Sequence, residues 1–172
     1  MKLIKIISSV LLCCLLFACS SSKDKEDKLA NFTPETLHSD GLKLLKAGSY
    51  KESIVYFERI NQEYPYSSLA SKAQLDEAYA YYKISKFEYS VSALDDYISL
   101  YPGEKDIEYA YYLKSLCFYD QIVGANLDQS MTEKARDAFI DVINRFPDGD
   151  YARDARIKMN LVLDHLAGKE MK

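Results

Sequence analysis

Tryptophan is absent from this sequence of 172 residues, and glycine, proline and histidine are rare at six, four and two residues. Such a sequence is poorly suited to a β-sandwich, whose many turns need glycine and proline, and is typical of helices joined by short turns. The sequence also lacks the motifs HExxH, CxxC, GxSxG and GxGxxG and the P-loop. These absences argue against the common zinc, nucleotide and serine-hydrolase sites.

Few side chains are candidates for catalysis. His38 and His165 lie far apart on different predicted helices, and the acidic pair at 95–96 is typical of a solvated helix surface. Catalysis requires buried titratable groups that act in pairs, and the sequence shows no such pair. We therefore predict no catalytic residue, no metal site and no cofactor, so that the protein is not an enzyme. An enzyme built on a repeat scaffold is kept as an alternative.

The charge balance excludes one class of partner. The sequence has 26 acidic and 22 basic side chains, for a formal net charge of −4. Proteins that bind nucleic acid draw their affinity from an excess of lysine and arginine, so we predict no nucleic-acid partner. A hydrophobic fraction of 48% is typical of a folded chain. The length favours a single domain.

The N-terminal residues have the pattern of an export signal. Lys2 and Lys5 precede a dozen apolar or small residues, 6–17, which is too few to cross a membrane, since a spanning helix needs about 20. We predict a signal peptide over residues 1–18. An ordinary cleaved signal and an uncleaved anchor are the alternatives to the lipoprotein signal described next.

The signal ends in Leu16-Phe17-Ala18-Cys19, which resembles a bacterial lipobox. The resemblance implies that Cys19 is acylated, with palmitate as one of its acyl chains, and that residues 19–33 tether the fold to a membrane. The residue after Cys19 is Ser20 rather than aspartate. In Gram-negative lipoproteins, the absence of aspartate at this position implies export to the outer membrane. Cys117 then has no cysteine partner, and we predict that its thiol packs inertly within a helix.

The rest of the sequence, residues 34–172, is a repeat. Pro65, Pro102 and Pro147 each follow an aromatic residue and each end a predicted helix. Small residues recur at a spacing of twelve before these prolines: Gly41 and Ser53 in unit one, Ala78 and Ser90 in unit two, and Ala135 in unit three. Ser115 is the other small residue of unit three, twenty residues before Ala135, and we assign the surplus of eight to a loop over 120–130. This spacing is that of the tetratricopeptide repeat.

The repeat predicts an all-α solenoid of antiparallel helix pairs, with about three and a half repeats. The predicted helices cover 35–47, 51–63, 68–84, 87–100, 105–120, 132–145 and 150–167. The last helix carries an apolar stripe at Ala155, Met159, Val162, Leu163 and Leu166, and leaves Ile157 and Leu161 uncovered. It is either a capping helix or the first helix of a fourth unit that is cut short.

Tyrosine, with fifteen residues, is the informative side chain. First helices of such repeats line a concave groove, and the register places particular residues there. The predicted peptide-binding residues are Tyr79, Tyr82, Lys83, Tyr112, Leu116 and Tyr119. Tyrosine suits a binding surface because it combines apolar contact area with a polar tip. The alternative is that aromatic residues at helical spacing are core, and we predict that role for Tyr81 and Tyr111.

The sequence also resembles a known family over about residues 30–166. The resemblance rests on Tyr64-Pro65-Tyr66, on the segment 74–83 (QLDEAYAYYK), and on Ala135-Arg136 and Phe139 after the insertion. These features, with the lipobox, resemble the BamD (ComL) family, the lipoprotein subunits of the outer-membrane β-barrel assembly machine. The resemblance implies a periplasmic scaffold that receives unfolded outer-membrane proteins and docks onto the barrel-forming subunit and other subunits of that complex.

One departure from the family affects the docking prediction. Members of that family usually carry more repeats than the three and a half predicted here, and the later repeats hold much of the contact with the barrel-forming subunit. A different periplasmic repeat lipoprotein, acting as an adaptor in pilus assembly or cell division, is the alternative function.

Overall fold

The computed structural model describes residues 32–124 and 129–170, and these residues form seven helices. The helices are α1 Pro34–Lys46, α2 Tyr50–Glu63, α3 Ala70–Lys83, α4 Phe87–Leu100, α5 Ile107–Gly124, α6 Gln129–Arg145 and α7 Ala152–Glu170. The predicted signal peptide, Cys19 and the tether up to residue 31 lie outside the described residues. No helix in the described ranges is both long enough and apolar enough to span a membrane.

The helices pair as the repeat predicts. The main packing contacts join each helix to the next, and smaller ones join α1 to α3 and α3 to α5. Unit one is therefore α1 with α2, unit two α3 with α4, and unit three α5 with α6, while α7 stands where the first helix of a fourth unit would lie. The all-α repeat architecture is confirmed.

The turns inside units one and two are also equivalent. Gly48 has φ +79°, and the Ser49 N–H donates to the Leu44 carbonyl at 2.9 Å. Ser85 stands 37 residues later with φ 58°, and the Lys86 N–H donates to the Tyr81 carbonyl at 2.9 Å. A left-handed residue of this kind satisfies the last carbonyls of a helix and reverses the chain. The same backbone conformation thus brings the two helices of each unit together.

The six small positions form a feature that we call the small-residue contact. Gly41, Ser53, Ala78, Ser90, Ser115 and Ala135 are all buried, as predicted. A Cβ at Gly41 would lie 2.7 Å from Phe57 Cε1, and the Ser90 hydroxyl donates to the Ala78 carbonyl at 2.8 Å. The two helices of a unit therefore lie so close together at these positions that only small side chains fit between them.

Larger apolar residues fill the space around that contact. The positions four and seven residues after the second small residue are at most 2% exposed: Phe57, Leu94 and Phe139, then Ile60, Tyr97 and Val142. One buried cluster joins α3, α4 and α5, and another joins α5, α6 and α7. Each helix pair thus completes its core only against the next unit, as expected of a repeat array.

The predicted loop over 120–130 is largely wrong. Helix α5 continues to Gly124 and α6 begins at Gln129, while residues 125–128 lie outside the described residues. Ile122 lies seven residues, or two helical turns, after Ser115 and is 4% exposed in the second cluster. Burial of this side chain on the same helix face stabilises the extension.

The predicted stripe of α7 is correct at Ala155 and Val162, which are fully buried, and Met159 is half-buried. Leu163 is 42% exposed, so its assignment to the stripe is wrong. Ile157 and Leu161 are uncovered as predicted, at 53% and 45%. Helix α7 thus packs through Ala155, Met159 and Val162 against the second buried cluster.

Tyr81 and Tyr111, which their helical spacing predicts to be core, are half-buried, and Tyr111 packs against the second buried cluster. The Tyr81 hydroxyl donates to Glu58 of α2. The Tyr111 ring lies 5.0 Å from the Arg145 guanidinium carbon. Both rings thus combine apolar packing with a polar partner, as tyrosine commonly does.

Candidate functional site

The first helices of successive units lie side by side and form one surface. We call it the first-helix surface and define it by the predicted residues Tyr79, Tyr82 and Lys83 on α3 and Tyr112, Leu116 and Tyr119 on α5. The contact of α3 with α5 brings the two sets together. All of these side chains are half-buried except Lys83, which is exposed.

Three side-chain hydrogen bonds cross between units on these helices, and we call them the inter-unit pairs. They are His38 Nε2 with Asp76 Oδ2 at 2.9 Å, Tyr82 Oη with Asp120 Oδ2 at 2.6 Å, and Tyr112 Oη with Asp154. The partners are 38 or 42 residues apart, so each pair joins one first helix to the next. The pairs therefore fix how neighbouring units are oriented.

Tyr82 shows how such a pair constrains a predicted binding residue. Its hydroxyl donates to the Asp120 carboxylate, and its ring lies 6.0 Å from that of Phe87. Burial, followed by the hydrogen bond to Asp120, raises the pKa of Tyr82 above its usual range. The hydroxyl therefore stays protonated and is already engaged as a donor, leaving the ring and the oxygen lone pairs for a ligand.

Tyr112 is held in the same way at the next junction. Its hydroxyl donates to Asp154, which also pairs with Lys158 Nζ at 3.0 Å. Burial raises the pKa of Asp154, but the hydrogen bonds from Tyr112 and Lys158 outweigh it, so this pKa lies below its usual range. Asp154 is thus ionised at neutral pH, and its bond from Tyr112 is charge-assisted.

The other predicted residues complete the surface through ring contacts. Lys83 Nζ lies 5.9 Å from the centre of the Tyr79 ring and 5.8 Å from that of Tyr50. The Tyr119 ring meets Phe139 edge-on at 5.9 Å, and Leu116 packs against the second buried cluster. The surface therefore presents aromatic and aliphatic area with one exposed ammonium group near its α3 side.

Two tyrosines that the sequence analysis missed extend this surface. Tyr151 stacks on Tyr112 with ring centres 4.8 Å apart, and its backbone N–H donates to Glu108 at 2.8 Å. Tyr109 lies 5.4 Å from Tyr151. Tyr109 precedes Tyr112 by three residues on α5, so helical spacing could have found it. Tyr151 comes before α7 and carries no periodic signal.

The buried thiol and the possible metal ligands of the described residues complete the account of the titratable groups. Cys117 is buried as predicted, its thiol donates to the Ser90 hydroxyl at 3.2 Å, and burial raises its pKa to about 11. A thiol with so high a pKa is a poor nucleophile. Within the ranges 32–124 and 129–170, no group of three or more potential metal ligands comes together. The chemistry of the first-helix surface is that of contact and hydrogen bonding.

Residues 30–172 match a protein family described as YfiO, outer membrane lipoprotein. The outer membrane protein assembly factor BamD of Rickettsia prowazekii is 41% identical over 172 residues, covering 99% of this chain and 68% of that protein. BamD of Caulobacter vibrioides is 38% identical over 166 residues, covering 96% of this chain. The present chain spans 54% of the Caulobacter protein.

Among solved structures, MamA residues 41 to the end from Desulfovibrio magneticus superposes with a TM-score of 0.54 at 19% identity, over 79% of this chain and 73% of that one. A MamA double mutant gives a TM-score of 0.56 at 17% identity, over 87% and 84% of the two chains. At these identities the likeness concerns the fold alone, and it agrees with the all-α repeat architecture.

Proposed function

The chain belongs to the YfiO family of outer-membrane lipoproteins, and from that membership we propose that it is a lipid-anchored scaffold for the assembly of β-barrel proteins into the outer membrane. Curated relatives that bear the name of outer membrane protein assembly factor BamD support this function. These names do not favour the alternative adaptor in pilus assembly or cell division.

The proposed anchor is Cys19, acylated after removal of residues 1–18, which places the domain 34–172 on the periplasmic face of the outer membrane. Support comes from the lipobox Leu16-Phe17-Ala18-Cys19 and from the family description. Several acyl chains on one residue hold a protein firmly to a bilayer, whereas one chain alone is marginal.

Metabolic labelling with a radioactive fatty acid tests the anchor. We expect label in the wild-type protein and in Cys13→Ser, because Leu12 rather than a small residue precedes Cys13. Label should be lost in Cys19→Ser. Equal label in Cys19→Ser and wild type, or none in wild type, contradicts the proposal.

The proposed binding site is the first-helix surface, which would receive extended segments of unfolded barrel proteins. The observation that carries this proposal is the row of half-buried tyrosines on adjacent first helices beside the exposed Lys83. Tyrosine rings give contact area with little rotamer entropy to lose, and Lys83 would pair with a carboxylate of the segment. An exposed ion pair contributes only about 0–1 kcal/mol, so the rings should dominate affinity.

Titration of a fluorescent peptide from the C-terminal strand of a barrel protein tests this site. We expect Tyr119→Ala to weaken binding about fivefold or more, as loss of an aromatic anchor typically does. Tyr82→Phe keeps the ring and should bind nearly as wild type, whereas Tyr82→Ala should not. Tyr66→Ala is the matched control because Tyr66 is fully exposed and lies outside this surface. If folded Tyr119→Ala and Tyr82→Ala variants bind as tightly as wild type, the site is elsewhere.

The proposed protein partners are the barrel-forming subunit and the other subunits of the assembly complex. Affinity purification of the protein from membranes, with the bound partners identified by mass, tests this assignment. Recovery of a barrel-forming assembly protein supports it, and recovery of pilus or peptidoglycan components in its place would favour the alternative adaptor.

A further inference from the structure

Two surface pockets occupy equivalent places in units two and three. The unit-two pocket lies between α3 and α4 beside α2 and has a volume of 370 Å³, and the unit-three pocket lies between α5 and α6 and has a volume of 300 Å³. Every residue of the unit-three lining corresponds in the repeat register to a residue of the unit-two lining, and Glu58 and Asn61 of α2 line the unit-two pocket only. The corresponding pairs used below are Glu77 with Lys114, Tyr81 with Phe118, Tyr89 with Lys134, and Asp96 with Asp141.

The two pockets differ in charge. In unit three, Lys114 Nζ pairs with Asp95 Oδ1 of the preceding α4 at 2.5 Å. In unit two, the residues at these two positions are Glu77 and Glu58, so two carboxylates stand where unit three has an ion pair. The described lining of the unit-two pocket contains no lysine or arginine.

The carboxylates of the unit-two pocket receive only neutral hydrogen bonds from its lining. The Asn61 amide donates to Glu77 Oε2 at 2.7 Å, and the Tyr81 hydroxyl donates to Glu58. Burial raises the pKa of Glu77 to about 7, and the nearby charges of Glu58 and Asp96 act in the same direction. The hydrogen bond from Asn61 opposes this shift. A cation placed among these groups would relieve that repulsion.

The aromatic residues that line the unit-two pocket favour one kind of cation over others. Tyr81 and Tyr89 stack with ring centres 5.3 Å apart and planes 21° apart. A guanidinium group lies flat on such rings, and its fork of N–H donors fits a carboxylate in a bidentate manner, whereas an ammonium group is a strongly hydrated point charge. This combination favours arginine over lysine and over a metal ion.

The rim of the pocket favours an arginine carried by a protein. The lining residue Tyr89 is 59% exposed, and Val55, which lies outside the lining but one helical turn before Glu58 on α2, is 48% exposed. A protein that carries the arginine could cover this apolar surface with its neighbouring residues, whereas a free cation would leave the surface exposed to water.

We propose that the unit-two pocket is a docking site for an arginine side chain of a partner protein, with the guanidinium against Tyr81 and Tyr89 and donating to Glu77 and Glu58. The arginine takes the place that the Lys114 ammonium fills in unit three. Because the lining of this pocket shares no residue with the first-helix surface, the proposal is independent of the peptide-binding site and of the anchor.

Nuclear magnetic resonance titrations of the ¹⁵N-labelled full-length protein in detergent test the ligand chemistry. The probes are blocked Gly-Arg-Gly, Gly-Lys-Gly, Gly-citrulline-Gly and magnesium chloride. We expect the arginine peptide to shift the amide signals of Glu77, Tyr81 and Tyr89 in a saturable way, the lysine peptide to bind more weakly, and the neutral citrulline peptide to leave them unchanged. Equal responses to arginine and citrulline, or a magnesium response at the same or lower concentration, would overturn the proposal.

Variants test the location. Glu77→Lys introduces the residue that unit three has at this position, and the new lysine should pair with Glu58. We expect this variant to bind the arginine peptide about tenfold more weakly or worse, because a charge-assisted contact is lost. Asp141→Asn in the unit-three pocket is the matched control and should bind as wild type. Glu77→Gln preserves shape and should also weaken binding, so it serves if Glu77→Lys does not fold. Wild-type affinity in a folded Glu77 variant sinks the proposal.

Discussion

The small-residue contact inside each unit and the first-helix surface between units are stabilised by different chemistry. Inside a unit, six small residues and the apolar side chains around them are buried from solvent. Between units, half-buried aromatic rings and the hydrogen-bonded inter-unit pairs join one first helix to the next. Packing at the small-residue contact therefore holds the two helices of a unit together, and the inter-unit pairs add to the shared buried clusters that join one unit to the next.

The largest effect should come from enlarging a residue of the small-residue contact. Ala78→Leu and Ala135→Leu should each destabilise the protein by about 1–3 kcal/mol, because both positions are fully buried and have no room for three more carbons. Urea denaturation measures the change. Ser99→Leu on the exposed side of α4 is the control. Unfolding midpoints equal to wild type in both alanine variants would show that the assigned contact is wrong.

Gly41→Ala also tests the small-residue contact, because the contact predicts that this variant is destabilised rather than stabilised. Alanine normally stabilises a helix interior relative to glycine by about 1 kcal/mol. Here the added Cβ would lie 2.7 Å from Phe57 Cε1, and Phe57 is fully buried and cannot move aside freely. We expect a destabilisation of about 1–2 kcal/mol. Gly103→Ala is the control, since nothing lies within 4 Å of the added carbon, and a stabilised Gly41→Ala variant would contradict the prediction.

Loss of one inter-unit pair should cost less. Tyr82→Phe removes the hydroxyl that donates to Asp120 and keeps the ring, so we expect a loss of about 1 kcal/mol. The double variant with Asp120→Asn should show a coupling between the two sites in a double-mutant cycle. Tyr66→Phe should change nothing, because Tyr66 is fully exposed. Strict additivity of Tyr82→Phe and Asp120→Asn would mean that this pair does not join the units.

The smallest effect is expected at the uncovered face of α7. Ile157 and Leu161 occupy the register positions that Tyr112 and Leu116 hold on α5, and both are largely exposed. Ile157→Ala should therefore change the unfolding free energy by less than about 0.5 kcal/mol. Val162→Ala on the buried face of the same helix should cost clearly more. A larger loss at Ile157 than at Val162 would reverse the assignment of the two faces.

The small-residue contact could be predicted from the sequence because it depends on spacing alone. Gly41, Ser90 and Ala135 were located by their distance from prolines, and all are buried. The helix bounds followed to within a few residues, except at 120–130, where α5 extends to Gly124 within the predicted loop and Ile122 is buried.

The partners of the first-helix residues could not be predicted in the same way. Tyr82 with Asp120 and Tyr112 with Asp154 are pairs between units, formed only when the units are oriented by tertiary packing. The sequence identified the tyrosines as surface candidates and gave no sign that two of their hydroxyls are engaged. The repeat register alone aligns Glu77 with Lys114, but only the structure shows that each of these residues lines a pocket.

The pairing of consecutive helices has a consequence for the order in which the chain can fold. The main contacts of each helix are with the helix immediately before or after it. A chain that emerges amino-terminus first from a ribosome or a membrane pore could close its first hairpin once Glu63 is free, without waiting for the carboxyl-terminal half. Low contact order of this kind favours rapid, sequential folding, and pulling on one end should release the hairpins one after another as separate steps in force.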